Sequence, residues 1–165
     1  MRMTLHSDYA LRMLIYLAVH PDRPVTVGDI AAAYRLSRNH LLKVALNLSK
    51  GGFVETIRGR SGGLRLAKPA AEITIGAVVR HLEEDFALVE CLKAGGGACA
   101  ISPLCRMKGL FSEALAAFLN VLDRHTIGEI VGKPDALAAL FGGGGPALPD
   151  IPDTEIRTTG NKMEA

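Results

Sequence analysis

Three short amphipathic segments followed by a hairpin signal constrain the fold more than any other feature of this chain. Residues 8–19, 27–35 and 38–50 each space apolar side chains three or four residues apart, as helices with one buried face do. Residues 53–66 then show two short strand patterns around a glycine-rich tip. This order predicts a mainly α fold with a small β wing, that is, a winged helix-turn-helix DNA-binding domain.

Residues at the ends of these segments predict where each helix begins and stops. Ser7 or Asp8 is the expected N-cap of the first helix, Thr26 that of the second and Ser37 that of the third. Gly51 and Gly52 are expected to end the third helix. Its expected apolar face is Leu41, Leu42, Ala45 and Leu48.

The outer face of the third helix is rich in side chains that hydrogen-bond to bases and phosphates. No acidic residue occurs between Arg35 and Lys50, whereas an ordinary solvated helix face usually includes glutamate. We therefore expect this helix to be the recognition helix. Its candidate DNA-contacting residues are Arg38, Asn39, His40 and Lys43, with Asn47 on the same outer face.

The hairpin tip, residues 59–63, is glycine-rich and basic. An arginine at such a tip can enter a narrow minor groove, and glycines allow close approach to phosphates. The alternative is an exposed hairpin with incidental arginines. The candidate DNA-contacting residues of the wing are Arg58, Arg60, Ser61, Gly62 and Gly63.

The charge of the chain is divided between its two halves. Residues 1–68 contain 11 Lys/Arg and 4 Asp/Glu, a net charge of +7, and residues 69–165 contain 8 and 13, a net charge of −5. A basic first half suits a domain that binds a polyanion, and double-stranded operator DNA is the expected partner.

All three cysteines of the chain lie between Cys91 and Cys105, with Cys99 between them. Three thiolates can hold three corners of a metal or iron–sulfur site, so a fourth ligand must come from elsewhere. The spacings of seven and five residues are wider than those of most structural zinc sites. A redox-active thiol, a disulfide with one spare thiol, and buried unreactive thiols remain alternatives at this point.

A long apolar stripe follows the cysteines, and its width favours a homodimer. One helix with this much apolar surface exceeds what a small winged domain can cover, although an intramolecular core helix is the alternative. The stripe comprises Leu104, Met107, Leu110, Phe111, Leu115, Phe118, Leu119, Leu122 and Ile127.

The resulting organisation has four parts. We expect a DNA-binding domain at 1–84, a cluster-binding loop at 85–106, a dimerisation helix with a short last helix at 103–141, and a disordered tail at 142–165. No apolar run is long enough to span a membrane, and the N-terminal segment is expected to be a helix and not a signal peptide. The expected location is the cytoplasm.

Several of these motifs together resemble the Rrf2 family of bacterial transcription regulators. The matching stretches are SDYALRMLIYLA, LSRNHLLKV, TIRGRSGGLRL and CAISPLCRMKG, in the family's order over roughly residues 1–140. The resemblance implies a homodimeric winged-helix regulator that binds double-stranded DNA and carries an iron–sulfur cluster.

Within the family, SRNH, ISPLCRMKG and Asp8 look most like the nitric-oxide-sensing repressors. In those proteins three cysteines and an aspartate near the N-terminus of the partner subunit hold a 4Fe-4S cluster. The resemblance thus implies Cys91, Cys99, Cys105 and Asp8 as ligands. Without the resemblance, a helix N-cap would be the preferred role of Asp8.

Two departures leave other signals open. Family members with a 2Fe-2S cluster have a histidine three residues after the last cysteine, where this chain has Lys108, so a 2Fe-2S cluster is the less favoured cofactor. The seven-residue spacing before Cys99 is similar to that of the iron-responsive members. An iron-responsive or redox-responsive regulator, or one controlled by a thiol or a partner without a cluster, is therefore the alternative to nitric oxide sensing.

Catalysis is not expected of this chain. Neither glycine-rich segment, at 59–63 or at 95–97, has a phosphate-loop or dinucleotide-binding pattern. No arrangement of nucleophile and base points to an enzyme.

Overall fold

The computed structural model describes residues 3–93, 95, 98–102 and 104–141. The elements in chain order are α1 (Leu5–Val19), α2 (Val27–Tyr34), α3 (Arg38–Lys50), β1 (Val54–Ile57), β2 (Gly63–Leu66), α4 (Ile75–Leu82), α5 (Met107–Asp123), α6 (Ile127–Val131) and α7 (Pro134–Ala139). This is the predicted winged helix-turn-helix followed by a long helix, and the predicted fold class is confirmed. The predicted disorder of 142–165 concerns residues outside the described ranges.

Helix α1 is the centre of the core. It packs against α3, α4, α6, α7 and β2, and its side chains at 10, 13 and 14 are fully buried. The prediction that Ser7 or Asp8 caps this helix is wrong. Thr4 is the N-cap and accepts a hydrogen bond from the Ser7 backbone N–H, so Ser7 is a buried residue of the first turn. The helix therefore starts one turn earlier than predicted, and Thr4 is also held from a distant part of the chain, by Glu83.

Helices α2 and α3 form the helix-turn-helix. Thr26 and Asp29 make a reciprocal capping box at the start of α2, as the position of Thr26 predicted. Arg35 ends α2 in the left-handed backbone region, with φ of 53°. Ser37 occupies the predicted N-cap of α3, but its side chain makes no capping hydrogen bond.

The predicted apolar face of α3 is wrong at one position. Val44 is fully buried beside Leu41 and Leu48, whereas Leu42 is half exposed. Val44 lies three residues after Leu41 and four before Leu48, so it shares their face, and Leu42 is turned away from it.

The wing is the antiparallel pair of β1 and β2, in register from Val54 opposite Leu66 to Ile57 opposite Gly63. The loop between α1 and α2 joins this sheet, because Val25 and Leu64 exchange two backbone hydrogen bonds of 2.9 and 2.8 Å. The wing is therefore attached to the helix-turn-helix along its second strand as well as through α3.

The apolar stripe after the cysteines is not one helix. Helix α5 ends at Asp123, and Thr126 and Glu129 form a second capping box that starts α6. Ile127, assigned to the stripe in the sequence, is instead a fully buried core residue. Two contacts hold this break against α4. Thr126 forms a backbone bridge with Thr74 at the start of α4, and Asp123 forms an ion pair with Arg80 in its last turn.

Helix α5 itself is weakly covered. None of its residues is buried, and Met107, Leu110 and Val121 are largely exposed. This surface is compatible with the predicted homodimer. Helix α7 confirms the predicted short last helix, and none of the helices described has the length and apolar character that a membrane crossing needs.

Candidate nucleic-acid interface and cysteine loop

Helix α3 presents its polar side chains to the outside because Leu41, Val44 and Leu48 anchor its opposite face in the core. The predicted DNA contacts Arg38, Asn39 and Lys43 are exposed on that outer face. His40 is only half exposed, and its Nδ1 is buried without a hydrogen-bond partner among the residues described. Three of the four predicted recognition residues are thus free to meet a ligand, and His40 is turned partly inward.

The wing presents Arg58, Arg60 and Ser61 as exposed residues. Arg65, on β2, forms an ion pair with Glu55 across the sheet, so part of its charge is neutralised. The basic surface at the tip of the wing is therefore formed by Arg58 and Arg60.

The two wing glycines have a steric reason to be glycine that does not involve DNA. A Cβ at Gly62 would lie inside the contact distance of the Ile57 carbonyl oxygen, and one at Gly63 would lie 2.7 Å from the Val25 carbonyl oxygen. The hairpin and its pairing with the α1–α2 loop thus require both glycines. Contact of Gly62 and Gly63 with DNA stays a prediction.

Asn47 does not face outward as its helical position suggested. Its side-chain amide donates a 3.0 Å hydrogen bond to Nε2 of His6, and Nε2 of His81 donates a 2.8 Å bond to its backbone carbonyl. Burial lowers the pKa of His6, and the neighbouring His40 and Lys43 lower it further, while Glu83 opposes them. A neutral His6 is the form that can accept the bond from Asn47.

The end of α4 is fastened to the start of α1. The backbone N–H and the hydroxyl of Thr4 both donate to Oε1 of Glu83, at 2.9 and 3.0 Å. We call His6, Asn47, His81, Thr4 and Glu83 the α1–α3–α4 network. The network could not be predicted from the sequence, because its partners lie 34 to 79 residues apart and no local pattern pairs them.

The cysteine loop presents three free thiols. Cys91 lies half-buried in a 3-10 turn (Glu90–Leu92), Cys99 is exposed, and Cys105 is half-buried just before α5. Backbone turns join the last two, since Ser102 N–H donates to the Cys99 carbonyl at 3.0 Å and Cys105 N–H to the Ser102 carbonyl at 3.4 Å. In the part of the chain that the structure describes, no three His, Cys, Asp or Glu side chains are gathered closely enough to hold a metal ion.

Asp8 lies in the first turn of α1, with 41 % of its side chain exposed. Its carboxylate pairs with the guanidinium of Arg12 one turn later, at 2.7 Å. The structure does not bring Asp8 together with the three cysteines of the same chain. To bind a metal, the Asp8 carboxylate would have to give up its ion pair with Arg12 or bind the metal and Arg12 at the same time.

The sequence pattern of the Rrf2 family, described as "Iron-dependent Transcriptional regulator", matches residues 3–133. The HTH-type transcriptional regulators NsrR of Halalkalibacterium halodurans and Geobacillus kaustophilus are 46 % and 47 % identical to the chain over 142 residues. Each match covers 86 % of the chain and 97 % of the relative. The fold is similar to that of CymR, the global cysteine regulator of B. subtilis, with a TM-score of 0.66 and 26 % identity over 80 % of this chain and 97 % of that one.

Proposed function

The chain belongs to the Rrf2 family of transcriptional regulators, and from that membership we propose a cytoplasmic, homodimeric repressor whose hold on operator DNA is switched by nitric oxide through an iron–sulfur cluster. Transcriptional regulation by a winged-helix protein follows from membership of the family. The iron–sulfur cluster, its four ligands and its response to nitric oxide are proposed in addition.

The DNA-binding half of the proposal is supported by exposed cations on two adjacent elements. Arg38 and Lys43 on α3 and Arg58 and Arg60 on the wing are all exposed. A recognition helix in the major groove with a basic wing beside it is the arrangement that winged helix-turn-helix proteins use. In a homodimer, two such surfaces meet two half-sites of an operator.

The donor set fits an iron–sulfur cluster in its chemistry. Cys91, Cys99 and Cys105 are free and at least partly accessible, and thiolates are the usual ligands of such clusters. Asp8 adds a carboxylate, which binds iron less tightly than a thiolate does. We propose these four residues as the ligands, Asp8 acting on the cluster of the partner subunit, with 4Fe-4S favoured over 2Fe-2S. When bound, the cluster supplies iron atoms that react with nitric oxide.

The observation that carries the proposal is the hydrogen bonding of Asn47, since it gives a physical route from the ligands to the recognition helix. Asn47 belongs to α3, and its partner His6 is two residues from Asp8. His81 and Glu83 lie at the end of α4, from which the chain continues into the cysteine loop. A change in whether the cysteine loop and Asp8 bind the cluster therefore affects both partners of Asn47, His6 on α1 and His81 on α4.

The chain's own residues would then perform the switch. While Asp8 and the cysteines are held, the α1–α3–α4 network keeps α3 in one orientation, and the two recognition helices of the dimer match the operator. When they are released, the network loosens and the population shifts towards orientations that bind poorly.

Protein purified without oxygen, assayed for iron and sulfide and then titrated with nitric oxide in an operator-binding assay tests this function. About four irons per chain and loss of operator binding on titration are expected. Cys99→Ala should lose both iron and high-affinity binding, whereas Ser102→Ala in the same loop should keep both. For the fourth ligand, Asp8→Ala is the test variant and should lose iron and high-affinity binding. Asp22→Ala, at an exposed aspartate, is its control and should keep both.

Each other result excludes part of the proposal. A chain that binds no iron would be a thiol-controlled or partner-controlled regulator, and unchanged operator binding by Cys99→Ala would exclude the cluster switch. A cluster that is indifferent to nitric oxide but lost under iron limitation would identify an iron-responsive regulator. The family's description as iron-dependent keeps that role as the second candidate.

A further inference from the structure

Two leucines lie on the outward side of α3, among the side chains expected to meet DNA. Leu42 is 48 % exposed and Leu46 is 57 % exposed. They are four residues apart on one helix, so their side chains are neighbours. We call them the Leu42–Leu46 strip.

The surroundings of the strip indicate what covers it. Exposed Asn39 and Lys43 lie beside it, with Arg38 at one end of the helix and Lys50 at the other. The whole of α3 contains no acidic residue. A protein partner for an apolar strip of this size does not require a frame of cations, whereas a polyanion does, so the charge favours nucleic acid.

DNA presents one prominent apolar group at its base edges in the major groove, the C5-methyl group of thymine. We propose that the Leu42–Leu46 strip reads thymine methyl groups of the operator, so that these two leucines determine specificity for thymine at defined positions of each half-site. The inference rests on the DNA-binding function proposed above. Leu42 lies in the N-terminal half of α3, the part of a recognition helix that contacts base edges.

Replacing single operator thymines by deoxyuridine tests the proposal, because it removes the methyl group and leaves every hydrogen-bonding atom in place. The probe is a duplex selected from random sequences by the full-length dimer. At one or more thymines per half-site, loss of the methyl should weaken wild-type binding about fourfold, the value of one buried methyl group. The same replacement should weaken binding by Leu42→Ala or Leu46→Ala much less.

The control is Ile130→Ala, which removes an exposed apolar side chain on α6, away from the recognition helix. It should keep the full deoxyuridine effect. Both leucine variants should fold, since the side chains are half exposed and alanine favours helix, and circular dichroism checks this. An equal deoxyuridine effect in wild type and both leucine variants at every thymine would overturn the proposal, as would a changed oligomeric state of Leu42→Ala.

Salt dependence separates this inference from the function on which it rests. Leu42→Ala should leave the slope of log affinity against log salt unchanged, while Lys43→Ala should reduce it by about one. If the wild-type protein binds no duplex in a salt-dependent way, DNA binding itself is refuted. If binding and its salt slope are normal but the deoxyuridine effect at every thymine is the same in wild type and in both leucine variants, only the methyl readout is refuted.

Discussion

Asn47→Ala should weaken the coupling between the cluster loop and the recognition helix. The substitution removes the amide that donates 3.0 Å to His6, but it keeps the backbone carbonyl that accepts from His81. One contact of the α1–α3–α4 network is thus lost and another retained. Alanine is also the best helix former, so α3 itself is not weakened.

The magnitude follows from one partly buried hydrogen bond, which contributes about 1 kcal/mol. That amount should lower the unfolding temperature by about 2–4 °C for a chain of this size. If the bond is made only in the orientation that binds DNA, the ratio of operator affinities with and without the cluster should fall about fivefold.

Thermal unfolding measures the shift of the unfolding temperature. Operator titration of cluster-loaded and cluster-free protein measures the ratio of the two operator affinities. The single variants His6→Ala and Asn47→Ala should each have the effect, and the double variant should have little more, because both remove the same bond. Asn120→Ala, on an exposed position of α5, is the matched control and should change neither number. Additive effects of His6→Ala and Asn47→Ala, or an unchanged affinity ratio, would refute this route.

Three further predictions concern packing, pH and the wing. Gly63→Ala should destabilise the fold by about 1–3 kcal/mol in chemical unfolding, because a Cβ there would lie 2.7 Å from the Val25 carbonyl oxygen, a backbone atom held by its pairing with Leu64. Gly109→Ala in α5, where the space is open, should instead stabilise the fold by about 0.5–1 kcal/mol. Equal effects of the two substitutions would contradict the packing. Burial raises the pKa of Tyr34 to about 12, so its folded-state pKa lies above the unfolded value, and the resulting stability is complete below pH 10 and lost as the pH rises through 10 to 12. Tyr34→Phe should flatten that loss in unfolding curves measured across the window, and an unchanged pH slope would argue against it. Arg60→Ala should reduce the salt slope of operator binding by about one. Arg65→Ala should reduce it less, because Glu55 already pairs with Arg65. A larger reduction for Arg65→Ala than for Arg60→Ala would exclude the wing tip as the phosphate contact.

Helix ends and the wing were predictable because their signals are local. Thr26 caps its helix through a residue three positions away, and the glycines at 51 and 52 end α3. A short hairpin needs only its own turn residues and two alternating strands. The true cap of α1 is local as well, since Thr4 accepts from the Ser7 N–H, and only the additional contact of Thr4 with Glu83, 79 residues further along the chain, has no local signal.

The candidate site was predictable in its residue types and not in its assembly. Three cysteines within fifteen residues indicate thiolate chemistry whatever the fold, and a helix face without acidic residues indicates a polyanion. Helical periodicity alone placed Leu42 in the core and Asn47 outside, and both assignments were wrong. Which side of α3 is covered depends on where α1 and α4 lie against it.

The sequence by itself determined the helix-turn-helix, the wing, the gathering of the thiols and the basic character of the recognition helix, because each depends on residues close together in the chain. Only the tertiary structure decided the exposed Leu42–Leu46 strip and the contacts of Asn47 with His6 and His81. Those features arise from side chains that compete for the same space around α1. That competition is settled by the packing of the whole chain, which no short stretch of sequence encodes.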